Sequence, residues 1–121
     1  MLAEAQRSAM AASAGGQTGF DDSGLSYVHF ALGNPALFRL MVRSRPTVAS
    51  DGSWPIAGSE ALQVLDANVA AVLPKNVKAA KRQIRSIQAW SLVHGLTMLI
   101  LDGRLPEDEA MIEAVIRSPI A

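Results

Sequence analysis

The feature that most constrains this chain is the segment Ala89–Leu101, which is apolar around the full circumference of a helix. A helix that is apolar on all sides is a buried one, because no side of it suits water. A chain of 121 residues can enclose such a helix only if most other helices wrap it, or if a second copy covers one side. The sequence therefore predicts a helical fold organised around this segment.

Composition places the chain among single globular domains. It has 121 residues, of which 50% are hydrophobic and 18% charged, so it is long and apolar enough to collapse. We predict one domain over 1–121, with a helical or linker lead-in over 1–19. Cysteine is absent, which excludes disulfides and thiolate metal sites. The net charge of zero does not support a strong global attraction to nucleic acid or to an anionic membrane.

Targeting and membrane signals are weak. The longest stretch without charge or proline is Ser86–Leu101, which is shorter than the ~20 residues that span a bilayer. The first residues, Met1–Ala14, include Glu4 and Arg7 and no apolar core, so they do not resemble a secretory signal. We therefore expect a soluble cytoplasmic protein with no membrane partner.

The first half of the chain reads as helices separated by glycine and proline. After an Ala-rich helix, Gly15-Gly16 and a loop over 17–22 should precede a helix capped by Asp22 or Ser23. That helix should close at Gly33.

Asn34 is then expected to cap the next helix, because it precedes a proline at the first helical position. Pro46 should end that helix and open a long loop over 46–58.

The second half has longer helical patterns. A helix beginning at Gly58 or Ser59 should end at Pro74, and the longest helix should cover about 77–102. A last helix is predicted over 107–118. No segment alternates with period two, so the predicted class is all-α with five to six helices. The breaks should lie near 15–21, 46–58, 74–76 and 103–106.

The sequence contains none of the common motifs for catalysis, metal binding or cofactor binding. The sequence has no nucleophile elbow, no dinucleotide or phosphate loop and no His-Glu-x-x-His. His29 and His94 lie 65 residues apart without carboxylate companions in sequence. We predict no enzyme activity, no metal site and no cofactor. The basic stretch Lys75–Arg85 is interpreted as a solvated helix end rather than as a phosphate-binding patch, because no aromatic residues interleave with it.

The most informative cluster lies in the apolar segment. Trp90 and His94 are four residues apart and so share one helix face, and each ring carries a polar atom that needs a partner when buried. Ser91 and Gly95 form a second face of small residues. Mid-helix glycine costs about 1 kcal/mol relative to alanine, which is reasonable where another backbone comes close. Tight internal packing, a dimer contact and a polar group in an apolar pocket all remain open. His29, on another apolar stripe, fits a hydrogen-bonded core or boundary histidine better than a ligand contact.

Two segments resemble a known family. The residues Tyr27 to Met41 match the pattern Y-x-x-F-A-x-x-x-P-x-x-[FY]-x-x-M of TetR-type transcriptional regulators. The segment Ala89–Leu96 resembles the W-x-x-x-H-G motif in the C-terminal domain of one subgroup, and Leu101–Leu105 matches its usual continuation. The resemblance covers about residues 20–106.

The resemblance implies a TetR C-terminal-like helical bundle that senses an effector and dimerises. The family's N-terminal helix-turn-helix domain has no counterpart here, so the chain is expected to be either a fragment or a stand-alone domain. No nucleic-acid contact is expected through it. Its partners would be a second copy and a small apolar effector. The alternative is a stand-alone helical protein-interaction or dimerisation domain without a small ligand.

In the family, the C-terminal helices bury an effector pocket and the last two pack with their copies, so the resemblance implies that helices 77–102 and 107–118 form the dimer. The aromatic and methionine content indicates the pocket residues, and the small and apolar faces of the last two helices indicate the interface. The expected ligand-binding residues are Phe30, Phe38, Met41, Trp90 and His94. The expected dimer-interface residues are Ser91, Gly95, Leu99, Met111, Ile112 and Val115.

Overall fold

The structure, a computed structural model, describes residues 4–8, 16–43 and 67–118. Within these ranges the chain forms six helices and no strand, so the all-α prediction is confirmed. The helices are α1 (4–8), α2 (Gly16–Gly33), α3 (Pro35–Arg43), α4 (67–72), α5 (Ala79–Leu101) and α6 (Glu109–Arg117). The loop predicted over 46–58 and the predicted start of α4 at Gly58 or Ser59 lie outside the described residues.

Helix α2 is the centre of the fold and packs against α3, α5 and α6. It begins at Gly16, so the loop predicted over 17–22 and the cap at Asp22 or Ser23 are wrong. The reason is tertiary packing, from which most helical stability in proteins comes. Gly19 and Ser23 are both buried, and Ser23 accepts a hydrogen bond from Asn68 of α4 at 2.9 Å, so burial outweighs the low helix propensity of glycine.

The junction between α2 and α3 forms at the predicted place by a different capping contact. Gly33 ends α2 and Pro35 is the first residue of α3, as the sequence indicates. The Asn34 side chain, however, donates to the Phe30 carbonyl oxygen at 3.0 Å and so caps the end of α2. The Asn34 carbonyl oxygen accepts from the Phe38 amide at 2.9 Å, which opens α3.

The last two helices confirm the breaks predicted near 74–76 and 103–106. Gly103 has a φ of 74°, the left-handed conformation that glycine adopts readily after a helix. The Arg104 and Leu105 amides both donate to the Leu99 carbonyl oxygen, at 2.8 and 3.1 Å. Asp108 then caps α6, because its carboxylate accepts from the Ala110 amide at 3.1 Å. The two helices are thus joined by a turn with defined hydrogen bonds.

The hydrophobic core lies where α2 meets α5 and α6, with one residue from α3. Phe38 and Ile112 are each 1% exposed. The buried apolar residues of this core are Leu25, Tyr27, Val28, Ala31, Phe38, Val93, Leu96, Ile100, Ile112 and Ile116. The apolar segment Ala89–Leu101 therefore contributes three residues to the core, and all three lie on one side of α5.

Candidate functional site

Four ring-bearing side chains from three helices form a cluster that we call the aromatic cluster: Tyr27, Phe38, Trp90 and His94. The Tyr27 and Phe38 rings meet edge to face with centroids 5.6 Å apart. His94 lies between its neighbours, 6.0 Å from the Phe38 ring and 6.2 Å from the Trp90 ring. The predicted shared face of Trp90 and His94 is confirmed, and α2 and α3 supply the other two rings.

A hydrogen bond between Tyr27 and His94 supplies the polar centre of the aromatic cluster. The Tyr27 hydroxyl oxygen and His94 Nδ1 are 3.1 Å apart. Burial raises the pKa of Tyr27 to about 12, so its hydroxyl stays protonated at neutral pH. Burial also lowers the pKa of His94, which favours the neutral imidazole. The pair is therefore uncharged, and the hydrogen bond between its two side chains links α2 to α5.

The five predicted ligand-binding residues do not all meet. Phe38, Trp90 and His94 belong to the aromatic cluster, whereas Phe30 and Met41 are partly buried residues packed at the edge of the core. Tyr27, which we did not predict as a ligand-binding residue, is the group that satisfies His94. Its partner lies 67 residues away, so no local pattern in the sequence could indicate the pair.

A partly enclosed cavity of about 50 Å³ also has Tyr27 in its wall. Its walls come from α1, α2, α5 and α6, and none of the five predicted ligand-binding residues lines it. The lining residues are Gln6, Phe20, Asp21, Gly24, Tyr27, Ala89, Leu92, Val93 and Ile116. Gln6 is 2% exposed, and its side-chain oxygen has no hydrogen-bond partner.

Sequence reasoning missed Gln6. The helix that carries it looks exposed, because alanines leave it little to bury. A polar side chain among small apolar residues was the only available signal, and such a residue is usually at the surface.

The side of α5 that faces away from the core is the expected dimer surface. Among the described residues, an added Cβ at Gly95 would meet nothing within 4 Å, so packing against that part of the chain does not explain this glycine. Ser91 is exposed and Leu99 is 46% exposed. We call these three residues the outer face of α5.

The expected dimer residues on α6 divide into two groups. Met111 and Val115 are half-buried and keep some surface for a partner. Ile112 does not, because it is packed within the chain's own core at 1% exposure. Its assignment to the interface is therefore corrected to a core role.

Three polar contacts at the surface, one histidine–carboxylate hydrogen bond and two ion pairs, join the first helices to the last ones. His29 contacts the Glu109 carboxylate at 2.8 Å, and it is about half exposed rather than in the core. Arg39 pairs with Asp102 at 3.0 Å, and Arg117 pairs with Asp22 at 2.5 Å. His29 is thus a boundary residue with a hydrogen-bond partner, one of the two interpretations favoured from the sequence.

Most side chains of the basic stretch Lys75–Arg85 lie at the surface. Lys75, Lys78, Lys81 and Arg85 are exposed, in agreement with a solvated helix end.

Among the described residues, no group of three or more His, Asp or Glu could hold a metal ion. Helix α5 is long and apolar enough to cross a membrane by length and composition, although core helices of soluble proteins meet the same criterion.

Comparison with known proteins assigns the fold to a family. The family model described as "Tetracyclin repressor-like, C-terminal domain" matches residues 21–119. This match covers most of the chain, and the chain therefore belongs to that family. Domains of this kind typically dimerise and are typically non-enzymatic. No curated protein and no solved structure matches the chain significantly.

Proposed function

We propose that the chain is the effector-sensing and dimerisation domain of a TetR-like transcriptional regulator and acts in the cytoplasm. The observation that carries this proposal is the position of α5. One of its sides contributes His94 to the aromatic cluster, and its outer face has no partner among the described residues. A single rigid helix thus adjoins both a candidate ligand site and a candidate subunit interface, which is what coupling between the two requires.

The subunit interface is a two-fold pairing of α5 and α6 with their copies. Gly95 allows close approach of two backbones, and Leu99 supplies exposed apolar surface beside it. Met111 and Val115 extend the surface along α6. A two-fold axis repeats this patch on both subunits, and a stable interface buries on the order of 1,500 Å² in total.

The effector is a small apolar molecule that contacts the aromatic cluster, with Phe30 and Met41 at its edge. His94 and Tyr27 already satisfy one another, so a ligand would exploit ring surfaces and the remaining polar capacity of the pair. We also propose that the chain belongs to the subgroup with the W-x-x-x-H-G motif, which the segment Ala89–Leu96 resembles.

The sensing role can be tested by fluorescence. The chain has two tryptophans, so Trp54→Phe leaves Trp90 as the only one. Saturable changes in Trp90 emission with members of a panel of small apolar compounds support an effector site at the aromatic cluster. His94→Leu should alter that response, whereas His29→Leu, a matched change at the surface, should not.

The second candidate is a helical protein-interaction or dimerisation domain without a small ligand. The hydrogen bond between Tyr27 and His94 favours this second function, because a satisfied pair needs no ligand. If the panel changes neither Trp90 emission nor the thermal midpoint while the chain remains dimeric, this second function replaces the first.

DNA contact through this chain is not part of the proposal. A band-shift assay at physiological salt should show no sequence-dependent binding of a duplex. Specific binding that persists in the double variant Lys78→Ala and Lys81→Ala would point to a DNA-binding surface elsewhere in the chain and overturn this part of the proposal.

A further inference from the structure

We infer that the cavity beside Gln6 is a binding site for a small neutral alcohol, whose hydroxyl donates to the Gln6 side-chain oxygen. This inference goes beyond the proposed sensing function, because it adds a second ligand site with its own chemistry. The cavity shares Tyr27 with the aromatic cluster, but none of Phe38, Trp90 and His94 lines it.

The first observation is the unpaired oxygen. Gln6 is 2% exposed and its Oε1 has no hydrogen-bond partner, although nearly all buried polar atoms in folded proteins have one. The same residue lines the cavity. A ligand that donates a hydrogen bond there would remove the cost of an unsatisfied buried acceptor.

The second observation is the chemistry of the walls. Most lining side chains are aliphatic or aromatic, and the Tyr27 hydroxyl is already bonded to His94. Asp21 has interaction partners of its own. A buried water usually needs two to four polar partners, and this cavity offers one unpaired acceptor, so an apolar body with one donor fits better than water.

Size and charge narrow the class of ligand. A cavity of about 150 Å³ holds benzene, so the cavity of about 50 Å³ admits only a few heavy atoms. Apolar walls penalise a charged ligand, because burying an ion without a full set of partners is costly. None of the described lining residues is basic, so none of them could pair with an anion.

Gly24 provides a direct way to close the site. A Cβ atom added at Gly24 would sit 3.5 Å from Val93 and 3.5 Å from Ile116, which is ordinary van der Waals contact. Gly24→Ala should therefore fold normally while it fills part of the cavity. Gly33→Ala in the same helix is the matched control, because an added Cβ there meets nothing within 4 Å.

The test is an amide chemical-shift titration of the whole chain with four-heavy-atom probes at millimolar concentration. We expect 2-propanol to give saturable shifts at Gln6, Gly24 and Val93. Acetone accepts but does not donate, and isopropylammonium donates but is charged. Both should bind about tenfold more weakly or not at all, in line with the loss of one buried hydrogen bond or with ion burial. Tighter binding of either probe than of 2-propanol contradicts the proposed chemistry.

The variants separate this site from the wider function. Gln6→Leu should remain folded, because it replaces an unpaired buried polar group with an apolar one of similar size, and should lose about tenfold in affinity for 2-propanol. Gly24→Ala should also lose affinity, and Gly33→Ala should keep it. Unchanged affinity in both Gln6→Leu and Gly24→Ala overturns the site.

If a panel compound binds in a manner that depends on His94 while 2-propanol gives no saturable shifts at Gln6, Gly24 and Val93, this site alone is overturned and the sensing function stands. If no compound binds at all, including 2-propanol, both the site and the sensing function fail.

Discussion

The two sides of α5 have similar sequences and different surroundings. On the inner side Val93, Leu96 and Ile100 are buried against α2 and α6. On the outer face Leu99 is 46% exposed and Gly95 has open space above it. An apolar helix surface that its own chain leaves uncovered usually marks an interaction site. The difference therefore separates the residues that hold the domain together from those available to a second copy.

The largest expected effect lies on the inner side. Leu96→Ala should lower the free energy of unfolding by about 2–5 kcal/mol, because it removes buried methyl groups and leaves a cavity. Chemical denaturation at a fixed protein concentration measures it. Leu99→Ala removes the same atoms from the outer face and should cost less. Equal losses for the two variants would contradict the distinction between the two sides.

The next effect concerns the outer face. Gly95→Leu should leave the helix intact, because none of the described residues lies within 4 Å of an added Cβ there, but should separate the two backbones at the interface. We expect the dimer to weaken at least about tenfold, or about 1.4 kcal/mol. Sedimentation over a range of concentrations measures the change.

Ala80→Leu is the control, since it adds similar bulk to an exposed position at the start of α5. A wild-type chain that is monomeric at micromolar concentration, or a Gly95→Leu variant that dimerises as tightly as wild type, would refute the interface.

A smaller effect on stability is expected at His94, the α5 residue that bonds to Tyr27 in the aromatic cluster. Tyr27→Phe keeps the ring in place and removes the hydrogen bond to His94, which should cost about 0.5–1.5 kcal/mol. The same change made in a His94→Leu background should cost less, because the partner is already absent. Equal costs in the two backgrounds would show that the hydrogen bond contributes nothing.

The smallest effect is a pH dependence from the same histidine. Burial lowers the pKa of folded His94 below its ordinary value of 6.5, so the unfolded chain binds this proton at higher pH than the folded chain does. The contribution of His94 to stability is therefore full above pH 6.5 and is lost as the pH falls through the lowered pKa. Denaturation midpoints between pH 5 and 8 should fall more steeply toward acid in wild type than in His94→Gln. Parallel profiles would contradict the assignment.

How far the sequence predicts the molecule depends on how local each signal is. The ends of α5 and α6 could be predicted because proline, glycine and acidic caps act within a few residues of themselves. The start of α2 could not, because Gly16 and Gly19 resemble helix breakers until their packing is known.

The candidate sites divide in the same way. Trp90 and His94 are one helical turn apart and were found from spacing. Tyr27 as the partner of His94, and Gln6 as a buried acceptor, depend on contacts between distant parts of the chain. Ile112 was assigned to the wrong surface because periodicity identifies an apolar face but not what covers it.

The surface contacts between the first and last helices have a consequence for synthesis on the ribosome. The partners in these contacts are 63 to 95 residues apart in sequence, as in Arg39 with Asp102 and Arg117 with Asp22. Helices α2 and α3 therefore leave the ribosome well before α5 and α6 exist to cover Val28 and Phe38. The ribosome adds about 5–20 residues per second, so this apolar surface stays uncovered for several seconds. During that interval the growing chain is a candidate for chaperone binding, and truncated translation products should aggregate more readily than the complete chain.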